Sequence, residues 1–146
     1  MRVSALLAAC CIALAGLWPA LSCAAPALSA QDAWIRATPG VDVAAAYLTL
    51  HNGGTQPVVV SGVRSVDASA AMIHATAIVN GQSTMRPHEL RIAPGETVRL
   101  VPGGVHIMLQ GLKRPLAAGN EVPLVLQLQG GGSLAVTARV RALTDD

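Results

Sequence analysis

Short segments in which apolar and polar residues alternate, separated by glycine- and proline-containing turns, restrict the fold of this 146-residue chain more than any other feature. Residues 46–51 place alanine and leucine against tyrosine, threonine and histidine, and Asn52-Gly-Gly54 follows as a turn. This alternation is typical of a β-strand with one buried face. Segments of similar character are residues 57–63, 70–79, 96–101, 105–109, 121–129 and 133–141. About eight short strands with turns every 8–12 residues predict an all-β sandwich or small barrel.

The N-terminal segment has a different character. Arg2 supplies a positive charge, residues 3–17 are almost unbroken apolar sequence, and small residues follow. This order is that of a secretory signal peptide. We expect residues 1–24 to be the signal peptide, with cleavage after Ala24 or as late as Ala30, and we place the first 30 residues outside the fold.

The predicted cleavage leaves one domain, residues 25–146, in the periplasm. The apolar run of the leader is shorter than the roughly 20 residues of a membrane-spanning helix, so we expect no integral span after cleavage. A lipid anchor at Cys23 is the alternative, because Leu21-Ser22-Cys23 resembles a lipobox.

All three cysteines of the chain, Cys10, Cys11 and Cys23, lie in the segment that cleavage after Ala24 removes. The mature domain then has no thiolate to offer. Zinc fingers, iron–sulfur sites, cysteine nucleophiles and cysteine-liganded blue-copper centres are excluded on this ground.

Charge and aromatic content argue against a nucleic-acid-binding protein. The chain has ten Lys and Arg against eight Asp and Glu, with no basic run and no Phe. A nucleic-acid-binding domain needs a basic footprint or stacking aromatics, so we expect no nucleic-acid partner. We expect the domain to be a monomer.

Histidine and methionine are paired along the sequence. Only four of each are present, and the pairs read Met72-Ile-His74, Met85-Arg-Pro-His88 and His106-Ile-Met108. Residues i and i+2 share one side of a strand, so His106 and Met108 project together, as do Met72 and His74. A hairpin at Asn80-Gly81 would return Met85 toward His74.

Thioether and imidazole together form a soft donor set without fixed negative charge. Such a set favours Cu(I) over harder cations, and neutral donors suit a monovalent ion. We therefore predict a Cu(I) site built from His74, Met85, His106 and Met108. Whether Met72 or His88 also ligates stays open, and His51 is interpreted as solvated.

These residues carry a resemblance to the periplasmic copper chaperone family PCu(A)C. Ten residues separate His74 from Met85, and twenty more precede His106-Ile-Met108. The resemblance covers nearly all of the mature chain, and its flanking segments are Asp32-Ala-Trp-Ile-Arg-Ala-Thr-Pro39, Ala44-Ala-Ala-Tyr-Leu-Thr-Leu50, Met85-Arg-Pro87 and Pro102-Gly-Gly-Val-His-Ile-Met-Leu-Gln-Gly-Leu112.

The resemblance implies a cupredoxin-like, Greek-key β-sandwich that binds one Cu(I) at an exposed His/Met site. It implies delivery of copper to the binuclear copper centre of cytochrome c oxidase, with the copper-bearing subunit or a Sco-like thioredoxin-fold protein as partner. Carried over residue by residue, His74, Met85, His106 and Met108 are the ligands.

Two rival functions remain open. One is a metal-free extracytoplasmic sandwich in which Met and His are packing and surface residues, and the other is copper storage or scavenging. An enzyme is not expected, because no carboxylate pair, nucleophile triad or phosphate-cradling loop stands out in the sequence.

Overall fold

The computed structural model of the protein describes residues 27–142, and these residues form strands and loops. The predicted signal peptide, residues 1–24, lies outside the described residues. The ten strands are β1 (Leu28–Ala37), β2 (Val43–Asn52), β3 (Val58–Ser65), β4 (Ala68–Val79), β5 (Gln82–Pro87), β6 (Leu90–Ile92), β7 (Thr97–Leu100), β8 (Val105–Leu112), β9 (Glu121–Leu128) and β10 (Ser133–Arg141). Nothing in residues 27–142 forms a helix long and apolar enough to cross a membrane.

The strands follow one another in the order β5-β4-β8-β2-β1-β10-β9-β3-β6, and β7 pairs with the second half of β2. Only the β1–β10 pair is parallel among these described strands. The two halves of this order enclose one apolar core, because residues from both halves belong to a single buried cluster. The fold is the predicted all-β, cupredoxin-like sandwich.

The core is built by the alternation seen in the sequence. Ala46, Leu48 and Leu50 are at most 2% exposed, whereas Thr49 and His51 on the opposite face are not buried. Across the core, Leu124 and Leu126 of β9 are completely buried. Burial of each such leucine contributes about 1.5–3 kcal/mol, so the alternating positions determine which face of each strand turns inward.

The start of the fold lies earlier than the sequence predicted. Leu28 is 2% exposed and pairs with Asn52, and Ala30 pairs with Leu50 and packs on the core. Placing the first 30 residues outside the fold was therefore wrong, because the core needs the Leu28 side chain. Cleavage at Ala30 would remove the first three residues of β1, whereas cleavage after Ala24 leaves that strand whole.

Two strands, β1 and β6, were not predicted, and β5 was expected only as the return segment of the Asn80-Gly81 hairpin. The alternation of β1 is broken by a bulge, at which Asp32 has a φ of 52°. The side chains of β5 are mostly exposed on both faces, so it has no apolar pattern. Strand β6 is three residues long.

Candidate metal centre

Strands β4 and β8 place two histidines and two methionines in register. His74 lies directly opposite His106, and Met72 lies directly opposite Met108. The two imidazole centroids are 6.1 Å apart and the rings are nearly perpendicular, at 89°. Directly opposed residues on antiparallel strands point to the same face, so all four side chains share one surface.

The buried neighbours of these residues explain why they point away from the core. Ile73 is 5% exposed, and Ile107 and Leu109 are completely buried. Ile73 and Ile107 each lie between two of the candidate donors in sequence, and successive side chains of a strand alternate between faces. The prediction that each i, i+2 pair projects from one side of its strand is confirmed.

The turn between β4 and β5 returns Met85 toward this surface. Asn80 and Gly81 have φ values of 53° and 77°, and Val79 pairs with Gln82 on either side of them. Two central residues with positive φ form the type I′ turn that matches strand twist, so the hairpin predicted from Asn-Gly is present.

Within that hairpin, Met85 lies opposite Thr76, and His74 lies opposite Pro87. Thr76 and His74 share a strand face, so Met85 is a diagonal neighbour of His74, at a distance of about 7–8 Å between Cα atoms. A long, flexible side chain covers that distance.

Burial within the cluster is graded. The side chains of His74 and His106 are 9% and 4% exposed, and Met85 is 53% exposed. Met72 and Met108 are intermediate. The imidazoles therefore lie at the base of the cluster and the thioether of Met85 lies at its rim.

A backbone contact orients the imidazole of His106. Its Nδ1 lies 3.1 Å from the carbonyl oxygen of Gly104. A carbonyl oxygen only accepts hydrogen bonds, so Nδ1 donates in this contact and Nε2 is the nitrogen left to face a ligand. This is the arrangement in which imidazole binds a metal through one nitrogen while the other donates to a backbone carbonyl.

His74 has a buried nitrogen without a protein partner. Its Nδ1 is buried and makes no hydrogen bond within the described residues. Burial, and secondly the charge of nearby His106, lower the pKa of His74 below its ordinary value. The ring is thus held in the neutral form, which is the form that binds a metal.

The sulfur of Met108 also has a neighbour. Gln110 Nε2 lies 3.6 Å from Met108 Sδ, and both residues are on the same face of β8. Thioether sulfur is a weak acceptor, so this amide restricts the rotation of the side chain and leaves a second lone pair available.

The described part of the chain does not offer a cluster of harder donors in place of this set. Among residues 27–142, no group of three or more His, Cys, Asp or Glu side chains could hold a metal ion. A metal at the cluster would therefore need thioether donors as well as the two imidazoles, and such ligands select Cu(I).

The remaining two histidines differ in their distance from the cluster. His51 is exposed, and its Nδ1 lies 3.0 Å from Thr97 Oγ1, at the end of β2 away from the cluster. His88 follows β5 in a loop, and its backbone N–H donates to the carbonyl of Ile73 at 2.9 Å. His88 and Met72 line one surface cleft of about 440 Å³ beside the edge of β4.

Two aromatic residues that sequence reasoning left without a role adjoin the cluster. The ring of Tyr47 lies 6.5 Å from that of His106, and the ring of Trp34 lies 4.5 Å from that of Tyr47. Tyr47 stands on the outward face of β2, which its place in the alternation indicates, but its proximity to His106 depends on the pairing of β2 with β8.

Fold and cluster together define a class, a cupredoxin-like sandwich with a His/Met surface suited to a soft metal. Residues 28–140 match the LpqE-like family, described as "Putative lipoprotein LpqE-like". The "Putative lipoprotein Lxx21020" of Leifsonia xyli subsp. xyli (strain CTCB07) is 36% identical over 119 residues, covering 80% of this chain and 71% of that protein. The chain belongs to the LpqE-like family, within the PCu(A)C copper chaperones.

Solved structures agree with this assignment. CuI-DR1885 from Deinococcus radiodurans is 32% identical with a TM-score of 0.64, covering 86% of this chain and 85% of that chain. The apo PCuAC domain from PmoF1 has a TM-score of 0.70 at 24% identity, covering 80% of this chain and 95% of that chain. The copper-bound PCuAC domain from PmoF2 has a TM-score of 0.67 at 22% identity, covering 80% and 94% of the two chains. The two PmoF domains are similar to this chain in fold.

Proposed function

We propose that this protein is a periplasmic carrier of one Cu(I) ion, which it binds through His74, Met85, His106 and Met108. The in-register pair of His74 and His106, flanked by thioethers, is the observation that supports this most. Copper is the cargo. The solution structure of DR1885 with Cu(I), a protein 32% identical to this chain, supports the choice of metal and oxidation state.

The graded burial of the cluster favours transfer over storage. Met85 is 53% exposed and contributes a neutral, weak donor, so an incoming acceptor ligand displaces it without first opening the fold. The two buried imidazoles then hold the ion until the acceptor completes its own coordination. A storage site would favour the opposite arrangement, with the metal enclosed on every side.

The proposed destination is the binuclear copper centre of cytochrome c oxidase, reached directly or through a Sco-like thioredoxin-fold protein. Family membership supports this part of the proposal. The chain itself supports it through the absence of cysteine after position 24, since an acceptor with thiolate ligands binds Cu(I) more tightly than imidazole and thioether.

The family name also bears on how the protein is held in its compartment. The lipid-anchor alternative at Cys23 accords with the lipoprotein description of the family. Expression of the full chain and of Cys23→Ser, followed by detergent phase partitioning, separates an anchored protein from one released by signal peptidase. A shift of the variant to the aqueous phase supports the anchor, and identical partitioning supports release.

The test of copper binding uses the mature protein under reducing conditions. We expect one Cu(I) per chain in a competition titration against a chromophoric chelator. The Met85→Leu/Met108→Leu variant should bind more weakly while keeping its fold, because leucine preserves volume and removes sulfur. His51→Ala is the matched control, since that ring lies away from the cluster. Unchanged affinity in the double Met variant would support the metal-free sandwich instead.

A further inference from the structure

The sheet surface that carries the His/Met cluster continues into a group of arginines. The parallel pairing of β1 and β10 sets Arg139 beside Trp34, and Arg141 beside Arg36. On the other side, Arg99 of β7 lies opposite Thr49 of β2. We call Trp34, Arg36, Arg99, Arg139 and Arg141 the arginine patch.

The patch is built around the indole of Trp34. The guanidinium carbon of Arg141 lies 4.6 Å from the Trp34 ring centroid, and that of Arg36 lies 5.7 Å from it. A guanidinium in this position is attracted to the face of the indole ring. These contacts restrict the side chains of Arg36 and Arg141, so less conformational entropy is lost when a partner binds them.

A row of rings connects the patch to the metal centre. Trp34 contacts Tyr47 at 4.5 Å between centroids, and Tyr47 lies 6.5 Å from His106. The patch and the cluster are therefore one continuous surface across neighbouring strands, and a protein that covers one of them reaches the other.

The charge of this surface is uneven. Four of the ten Lys and Arg residues of the chain lie in the patch. The strand registers place one acidic residue beside it, Glu121, which is opposite Arg139. Arginine with tryptophan is also the composition found at the energetic centres of protein interfaces.

We infer that the arginine patch is the docking surface for an acidic protein that receives the copper, and this inference rests on the proposed function. The patch binds carboxylates of the acceptor and sets its metal site above Met85 and the two histidines. Opposite charge on the two partners raises the association rate and selects the acceptor, whereas the cluster alone determines how tightly copper is held.

The experiment separates docking from copper affinity. The variant Arg139→Glu/Arg141→Glu reverses two charges of the patch. The matched control Arg64→Glu/Arg91→Glu reverses two exposed arginines on β3 and β6, at the other end of the strand order. For the wild type and both variants we measure Cu(I) affinity, copper transfer to dithiothreitol, and copper transfer to an apo Sco-like protein and to the apo copper domain of cytochrome c oxidase.

We expect all three proteins to have the same Cu(I) affinity and the same rate of transfer to dithiothreitol. Transfer to one of the protein acceptors should slow at least tenfold in the patch variant only. In half-molar salt the transfer rate of the wild type should fall close to that of the patch variant, because the Debye length falls below about 5 Å and screens the attraction between the partners. Equal transfer rates for the patch and control variants would overturn the inference. A patch variant that transfers copper slowly because its Cu(I) affinity has changed would also overturn it.

Two further outcomes are distinguishable. If the wild type does not bind Cu(I), the proposed function fails, and NMR titration of the apo protein with each acceptor still shows whether the patch mediates binding. If the patch variant loses binding to vesicles containing phosphatidylglycerol but transfers copper normally, the patch recognises a membrane surface and the inference is wrong.

Discussion

His74 and His106 stand opposite one another on neighbouring antiparallel strands, and their imidazole rings are 6.1 Å apart at nearly right angles. The backbone of β4 and β8 imposes this spacing, so the two imidazole rings are held in place by the protein itself. Because both rings are also buried, their positions depend on the folded core and not on the ion. Copper affinity should therefore respond to changes at single donors while the fold is retained.

The thioethers should be unequal in their contributions. Met85→Leu should weaken Cu(I) binding about tenfold, or about 1.4 kcal/mol, because leucine lacks a donor atom. Met72 lies beside the cluster on the face of His74, and its sulfur can replace that of Met85. Removing both thioethers in Met72→Leu/Met85→Leu should therefore lower Cu(I) affinity about tenfold more than Met85→Leu alone. Competition titration measures both. If Met72→Leu binds Cu(I) more weakly than Met85→Leu does, Met72 is the main thioether donor and Met85 the secondary one.

Copper retention should depend on pH through His74. Burial and the charge of His106 lower the pKa of His74, so protons compete with the metal at this ring only below about pH 6.5, the ordinary value for histidine. We expect the contribution of this ring to affinity to be intact at neutral pH and to fall as acid protonates it. Titrations across the acidic range measure this, and affinity that stays constant down to about pH 4 would count against imidazole ligands.

The apo domain should be folded at neutral pH and should lose stability in acid. The pKa of His74 is lower in the folded state than in the unfolded state, so the unfolded chain binds the proton first as pH falls. The associated stability is present above about pH 6.5 and is lost as pH falls through the lowered pKa. Denaturant unfolding at several pH values should show a smaller acid-dependent loss for His74→Leu than for the wild type.

The Asn80-Gly81 turn should influence the metal site from a distance. Gly81 has a φ of 77° with open space around its Cβ direction, so Gly81→Ala meets backbone strain but no clash. Strain of about 1–2 kcal/mol would loosen the hairpin and move Met85 away from His74. We expect weaker Cu(I) binding, with the chemical shifts of β8 unchanged.

A matched glycine controls for general strain. Gly131 has a φ of 103°, also with open space, in the turn between β9 and β10. Gly131→Ala should destabilise the fold by a similar amount and leave copper affinity unchanged. Equal losses of affinity in the two variants would show that the effect is global.

Asn52 should be important for stability and not for copper. Its side chain is completely buried, and its Nδ2 donates to the carbonyls of Gln56 at 2.8 Å and Ile92 at 3.1 Å. Its Oδ1 accepts from the Gly54 N–H at 3.0 Å. Asn52→Ala leaves these groups unsatisfied, and we expect a loss of about 2–4 kcal/mol in the free energy of unfolding.

Chemical denaturation measures this loss, and Asn120→Ala is its control. The side-chain oxygen of Asn120 accepts from the backbone N–H of Ala117 at 3.0 Å and from Arg114 Nη1 at 3.2 Å. Both bonds are exposed to solvent, where water replaces the lost partner. We expect a change below about 1 kcal/mol for the control. A similarly small change for Asn52→Ala would mean that water enters the space left by the amide.

The sequence by itself determined the properties that are local to a strand. Alternation of apolar and polar residues determined that Met72 shares a face with His74, and His106 with Met108, because side-chain direction has a period of two in any strand. The Asn80-Gly81 turn likewise determined the hairpin, since positive φ at both positions suits that pair.

Only the tertiary structure decided which strands are neighbours. It placed His74 opposite His106, brought Tyr47 beside His106 and extended β1 back to Leu28. It also gathered Arg36, Arg139 and Arg141 around Trp34. These relationships join residues far apart in the sequence, and they follow from the way all strands together bury one core. The local pattern of a strand does not specify that collective arrangement. The face shared by each His/Met pair could therefore be predicted from the sequence, and the surface that surrounds the pairs could not.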